Sequence, residues 1–224
     1  DILSTIMLQS GVPMVAPDFS RAVFSNQGKD ALAFYTKFGN PANSYYTWSD
    51  NFKNSLDGFA DGTVSMMFGY AYHIPAIKEK NPFLRFAVTP LPQLEGASQK
   101  ISYANYWGLA VSNRSRLPQS AWGFIKAATV SPSVVQRYTG ATRRVPALLN
   151  PTLFASANKD PELGPFASQI LTARSWPQAD STAIENIFSG MIEAVTAGQK
   201  TLDKALLEAE DAVTALMQKS LNRL

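Results

Sequence analysis

The spacing of apolar residues changes twice along this chain of 224 residues, and that change constrains the fold more than any other feature. Up to about residue 60 apolar side chains recur at helical intervals. Between Thr63 and Ser112 they fall into short runs of strand character, and beyond Ser112 the helical interval returns and persists. Helices, then a few strands joined by helices, then helices only, describe an α/β chain with a small sheet flanked by helices.

Local signals mark the elements. Residues 1–10 read as a short helix stopped by Gly11 ahead of Pro13. Residues 26–38 read as a second, with Ser25 as cap and Ala31, Phe34, Tyr35 and Phe38 on one face. A third, from about Asp50 to Ala60, turns Phe52, Leu56 and Phe59 inward and ends at Gly62. Strands are expected at 63–68, 84–89, 100–103 and 108–112, with one or two helical turns over 74–80 and a polar loop over 93–99. Pro118 precedes a helix carrying Ala121, Trp122, Phe124 and Ile125. Ser131-Pro132, Asn150-Pro151 and Asp160-Pro161 each put a capping side chain before a proline at the first helical position, where the missing N–H costs nothing. Residues 182–197 form an amphipathic helix with Ile184, Ile187, Phe188, Met191, Ile192 and Val195 on one face. Thr182 and Glu185 have capping-box spacing, and Gly198 ends the helix. Thr201 caps a last helix that turns Leu202, Ala205, Leu206, Ala209, Val213 and Leu216 inward.

Composition excludes several classes. Apolar residues make up 46% and charged residues 17%, which places the chain outside the disordered regime. The net charge of +3, read as acids and bases mixed along the chain, describes a solvated surface and argues against a nucleic-acid partner. The absence of cysteine removes disulfides, thiol nucleophiles and Cys-based metal sites. No apolar run approaches the about 20 residues of a membrane helix. The start, Asp1-Ile2-Leu3-Ser4, has neither an initiator Met nor a basic stretch. It reads as a processed or internal boundary, with any signal peptide or lipid-anchor cysteine expected upstream.

A search for catalytic chemistry finds little. The single histidine, His73, cannot build a His-based metal site and has no marked serine partner for a triad, so it reads as a satisfied or solvent-exposed side chain. There is no phosphate-binding glycine loop and no Gly-x-Ser-x-Gly elbow. Asp57, Asp61, Glu79 and Glu95 are the acids that a two-carboxylate glycosidase would need, and each sits in a polar helix or loop context that reads as surface charge. Glu208, Glu210 and Asp211 read as the solvated side of the last helix. No cofactor is implied.

Aromatic placement is the stronger signal. Tyr70 and Tyr72 follow Gly69 at an expected strand end, and Tyr103, Tyr106 and Trp107 occupy the loop between two others. Tyr45, Tyr46 and Trp48 form a further cluster, and Trp176 precedes the amphipathic helix. Loops at strand ends of open α/β sheets are common ligand sites. Tyr and Trp pair an apolar face with a hydrogen-bonding tip, which suits sugars; core or interface packing of the same residues stays an open alternative.

At these residues the chain resembles family 1 extracellular solute-binding proteins. Phe59-Ala60-Asp61-Gly62-Thr63-Val64-Ser65-Met66-Met67-Phe68-Gly69 is similar to their F-x-x-G-x-x-A-M-x-x-x-G stretch, with Ser65 in place of the usual Ala. Pro90-Leu91-Pro92 resembles their P-x-P turn, and Trp107-Gly108-Leu109-Ala110-Val111-Ser112 their G-L-A-V segment. Ala121-Trp122-Gly123-Phe124-Ile125-Lys126 looks like their A-W-x-F-x-K helix. Ser131 to Tyr138 is similar to S-x-E-x-Q-x-x-Y, with Val134 where Glu is common. Thr139-Gly140 followed by Val145-Pro146 resembles their T-G-x-x-P turn. The tail from Ala197 to Leu206 resembles the end of maltose-binding-type receptors. The likeness is good over residues 50–224 and loose over 1–49.

The resemblance implies the C-terminal lobe of a two-lobed periplasmic-binding-protein-like fold (type II), with most of the N-terminal lobe missing. Residues 1–104 and 146–224 are expected to form the C-terminal lobe, and 105–145 a hinge-crossing segment belonging to the N-terminal lobe. It implies a receptor and not an enzyme: a solute, favoured as a sugar, delivered to ABC permease subunits by cleft binding and hinge closure. The rival readings are a carboxylate-based glycosidase and a protein-interaction module. The expected site comprises Gly69, Tyr70, Tyr72, Asn105, Tyr106, Trp107, Arg143, Arg144 and Trp176, with no metal. The expected location is extracytoplasmic, with membrane contact only through the permease or a lipid anchor. Ala121, Trp122, Ile125, Val134, Val135 and Tyr138 would lack cover in a chain of this length, so self-association through 105–145 is expected.

Overall fold

Apolar residues from the two ends of the chain meet in one core. The computed structural model describes residues 1–49, 51–97 and 99–221. They fall into two units, one of residues 1–52, 93–103 and 174–224, the other of 53–92 and 104–173. The chain changes unit at 52/53, 92/93, 103/104 and 173/174. Position 145/146 is not a unit boundary, because residues 104–173 run through it within one unit.

The first unit holds α1 (Ile2–Gln9) and α2 (Lys29–Thr36), followed by a 3-10 turn, Lys37–Gly39. The chain returns to this unit in α9 (Ser181–Thr196) and α10 (Leu202–Leu221). Ile184, Phe188, Met191 and Ala194 are the buried stripe of α9; Ala205, Leu206, Ala209, Val213 and Met217 are that of α10. Both stripes have the i, i+3/i+4 spacing of one helix face. Phe24, Met7, Leu32, Leu206 and Val213 are the largest fully buried side chains of this unit. Gly198, at φ +68°, closes α9 as a left-handed stop, and Gln199 N–H returns to Ala194 C=O at 2.8 Å.

The second unit contains α3 (Ser55–Ala60), α4 (His73–Lys80), α5 (Pro118–Val130), α6 (Pro132–Thr142), α7 (Pro151–Lys159) and α8 (Gly164–Ser168). Its buried apolar residues are small or medium: Ala60, Ala71, Ile74, Ile77, Val135, Ala157, Leu163 and Ala167. Two short strands, β1 (Ser102–Tyr103) and β2 (Ala173–Arg174), make a two-stranded sheet where the chain changes unit.

Several expectations are corrected. Residues 63–68, 84–89 and 108–112 are not strands, and 100–103 is reduced to Ser102–Tyr103. In 83–88 the burial does alternate, with Leu84, Phe86 and Val88 half-buried and their neighbours exposed. A strand is defined by its partner, and no ladder forms on these segments among the described residues. Ser25 does not cap α2. Its N–H donates to Glu210 Oε2 at 2.5 Å, which also makes Glu210 more than a solvated charge. The helix begins after Gly28, where a Cβ would lie 2.7 Å from Phe24 O and 3.0 Å from Met7 Cε. The third helix begins at Ser55, capped by Asn54, and Phe52 is exposed. Asp50, its expected start, and Ser98, within the expected polar loop, lie outside the described residues, as do 222–224. Asp160-Pro161 opens a turn instead of a helix, because the Asp160 carboxylate takes the N–H groups of Glu162 and Leu163 and an arginine as well.

Thr182 does not cap α9. The residue two places earlier does: Asp180 Oδ1 accepts the N–H of Ala183 at 3.0 Å. Asp180→Ala is therefore expected to lower stability by about 1 kcal/mol and Thr182→Ala by much less. Urea unfolding followed by circular dichroism checks this, and equal losses would return the cap to Thr182.

Candidate functional site

Tyr70 and Tyr72 leave the Gly69 turn side by side. Their rings stack at 5.4 Å between centroids with 13° between planes. His73, the first residue of α4, meets Tyr72 edge-on at 4.5 Å and Tyr70 at 6.1 Å. Arg144 places its guanidinium carbon 4.7 Å from the centre of the Tyr72 ring, within cation–π range. Gly69 eases this packing, since a Cβ there would lie 3.1 Å from His73 Nδ1 and 3.4 Å from Met67 Cε.

The two neighbouring arginines have different tasks. Arg143 ends α6 in the left-handed region at φ +55°, its N–H bonded to Thr139 C=O at 2.9 Å. Its guanidinium donates from both Nη atoms to Asp160 at 2.9 and 2.8 Å and from Nη2 to Glu162 Oε2 at 2.9 Å. Glu162 also pairs with Lys78 Nζ of α4 at 2.6 Å. The paired guanidinium is the first cause that pulls the Asp160 carboxyl down to about 2, and the same bonds raise Arg143 above its usual value. Arg143 is therefore tied into the frame, while Arg144 makes no ion pair among the described residues and lies on Tyr72.

The other expected residues lie apart from this cluster. Asn105 is exposed, as are Tyr106 and Trp107, at 71% and 82% of their surfaces. Trp176 belongs to the other unit and is buried in its core, 6.0 Å from Phe188, with Nε1–H donating to Ser4 Oγ at 3.3 Å. Tyr103 is half-buried and accepts from Gln178 Nε2 at 3.2 Å.

His73, expected to be a satisfied or solvent-exposed side chain, is half-buried and satisfied, its Nδ1 taking the Tyr70 N–H at 3.2 Å, and it lies inside the cluster. Its spacing of three residues from Tyr70 was the available signal. Two of the four acids weighed for catalysis are engaged in ion pairs, Asp57 with Lys80 at 2.7 Å and Asp61 with Lys53. Hydrogen bonds from those lysines hold both carboxyls below the usual range, the wrong direction for a general acid. No group of three or more His, Asp or Glu side chains is arranged to hold a metal among the described residues.

The family described as "Bacterial extracellular solute-binding protein" matches residues 1–165. The chain belongs to that family. It is a family of binding proteins, and its description places its members outside the cell. No helix among the described residues is long and apolar enough to cross a membrane.

Solved structures agree on the fold. An ABC transporter solute-binding protein from Thermotoga lettingae, bound with alpha-D-tagatose, superposes with a TM-score of 0.75 at 20% identity, over 96% of this chain and 56% of that one. An ABC substrate-binding protein from Listeria monocytogenes in complex with cycloalternan gives 0.75 at 19%, with the same coverages. The sugar-binding protein MalE from Xanthomonas citri gives 0.74 at 18%, over 97% and 56%. This α/β, helix-rich chain thus spans a little over half the length of the solved structures it matches. No curated protein sequence matches it.

The ion network predicts an acid-sensitive frame. A carboxyl whose folded value is depressed contributes stability above its unfolded value, and that contribution is lost as pH falls. For Asp160 the window runs from its usual 3.8 down to about 2. Arg143→Ala should remove that acid-side slope and cost about 1–2 kcal/mol at neutral pH, while Arg144→Ala should leave both unchanged. Urea midpoints measured from pH 7 to pH 2 decide it.

Proposed function

We propose that this chain acts in a receptor that binds a sugar and presents it to an ABC importer. The observation that carries the reading is the stacked Tyr70–Tyr72 pair with Arg144 on the Tyr72 ring. Flat apolar faces beside unpaired guanidinium donors suit the C–H faces and hydroxyls of a saccharide. The sugars named for the solved structures support the same class. A solute held between two lobes would favour the closed form by its differential contacts, and the permease would read that form. Residues 105–145, with Asn105, Tyr106 and Trp107 as further contacts, are proposed to serve the lobe opposite the one closed by α9 and α10. Delivery would take place outside the cytoplasmic membrane, with membrane contact through the permease or a lipid anchor. Catalysis has no part in this reading.

Calorimetric titration against mono- and oligosaccharides tests it. Tyr72→Ala should weaken binding by about 1–3 kcal/mol and Tyr70→Phe by less, since only a hydroxyl is lost. Unchanged affinity in both variants, with binding itself established, would displace the site. Turnover of an oligosaccharide that tracks the protein would favour the glycosidase.

The α5–α6 hairpin supports a second partner, another copy of the chain. No residue of α5 is buried, and Trp122, Phe124, Val130, Val134 and Tyr138 are exposed. Charge is also segregated here, contrary to the mixed pattern first read. From residue 96 to 159 there are eight bases and no acid, whereas 160–224 has nine acids and five bases. A basic, apolar face on one copy complements the acidic helices of another. Light scattering should show mass rising with concentration and falling with salt or in Trp122→Ala; a monomer at all concentrations would remove the proposal.

A further inference from the structure

His73 bonds the aromatic turn in both directions. Tyr70 C=O accepts the N–H of His73 at 2.9 Å and Ala71 C=O that of Ile74 at 3.1 Å, which starts α4. The return bond runs from Tyr70 N–H to His73 Nδ1 at 3.2 Å. The bond resembles the back-reaching half of a capping box, usually supplied by Glu or Gln from the third helical position to the N-cap N–H, but it is set two residues earlier: His73 is the first residue of α4 and Tyr72 its N-cap. Here an imidazole supplies it, and the same ring packs on the edge of Tyr72. One group therefore fixes both the backbone that carries Tyr70 and the ring it stacks on.

We propose that His73, with an unprotonated Nδ1, is the positioning residue that sets the Tyr70–Tyr72 pair, and that its protonation releases this turn. The functional consequence rests on the reading of that pair as the solute surface. An imidazolium has two donors and no acceptor, so the Tyr70 N–H would face another N–H. Burial holds the ring below the ordinary histidine value of 6.5, so the neutral form persists at neutral pH and titrates on the acid side. The stabilisation is present above the unfolded value and is lost as pH falls through the folded one.

The surrounding charges do not titrate the ring's partner away first. Arg144 lies over Tyr72, the neighbour of the imidazole. On α4, Lys78 is paired with Glu162 and Lys80 with Asp57 of α3, and Glu79 is exposed. Asp61, following α3, is held by Lys53, and Asp160 by Arg143. Hydrogen bonds from these partners hold the Asp57, Asp61 and Asp160 carboxyls below the usual carboxylate value. A cation near the start of α4 is also opposed by the helix dipole.

Hydrogen exchange of the Tyr70 amide, read by NMR on the solute-free chain from pH 7.5 to 4.5 beside the His73 imidazole resonances, tests this. Corrected for intrinsic rates, protection should fall about tenfold through the His73 titration. His73→Asn, whose Oδ1 can replace Nδ1 but does not titrate, should keep protection at every pH. His73→Phe, which keeps a ring and loses the acceptor, should lack it at every pH. Wild-type protection that stays flat through the His73 titration overturns the proposal, whether or not either variant folds. No solute enters the measurement, so its failure is distinct from failure of the receptor reading.

Discussion

The guanidinium of Arg143 joins the end of α6 to the turn at Asp160, and Glu162 carries the connection to Lys78 on α4. The second unit depends on links of this kind because it has little else. Its buried apolar residues are alanines and a few aliphatics, with no buried aromatic among the described residues. A pair joined by one bidentate interaction of two hydrogen bonds and three-quarters buried is worth more than an exposed ion pair, and losing one member leaves charge without its partner. The frame so made places Arg144 on Tyr72.

The first unit solves the same problem with apolar packing. Phe24, Phe188 and Trp176 sit together, at 5.5 Å for the two phenylalanines and 6.0 Å for Trp176 on Phe188. Trp176 and Trp107 are the same residue type, each in a loop, yet one is core and the other open to solvent. What separates them is the helix face that follows: Trp176 leads into α9, whose apolar stripe draws it inward.

This contrast explains what could be read from the sequence. Helix boundaries were legible where one or two residues decide them: Pro118, Pro132, Asn150 before Pro151, Gly62 and Gly198. Strands were not, since 84–89 has the alternation but its pairing depends on residues far away in the chain. Caps failed where two candidates competed, as with Asp180 and Thr182. Within the site, Gly69 pointed to Tyr70 and Tyr72. Nothing in the sequence distinguishes Arg143 from Arg144, because the difference is which carboxylate lies within reach. His73 carries no catalytic pattern in the sequence because it is placed for geometry, with its Nδ1 on the Tyr70 N–H.

The division between the arginines bears on the class of solute. A left-handed turn at Arg143 sends one guanidinium to the carboxylates and its neighbour to a ring. A guanidinium bound bidentately to carboxylate has its fork occupied and its charge balanced. One laid against an aromatic face is held in place while its N–H groups stay directed outward. Neutral hydroxyls can use such donors, and an apolar ring beside them takes the C–H face of the same molecule. A polycation would meet the reverse of what it needs, since Asp160 and Glu162 are already committed to Arg143 and Lys78. If the solute sits here as proposed, the arrangement favours an uncharged, polyhydroxylated one over a polyamine on electrostatic grounds that do not depend on the likeness to the solved structures.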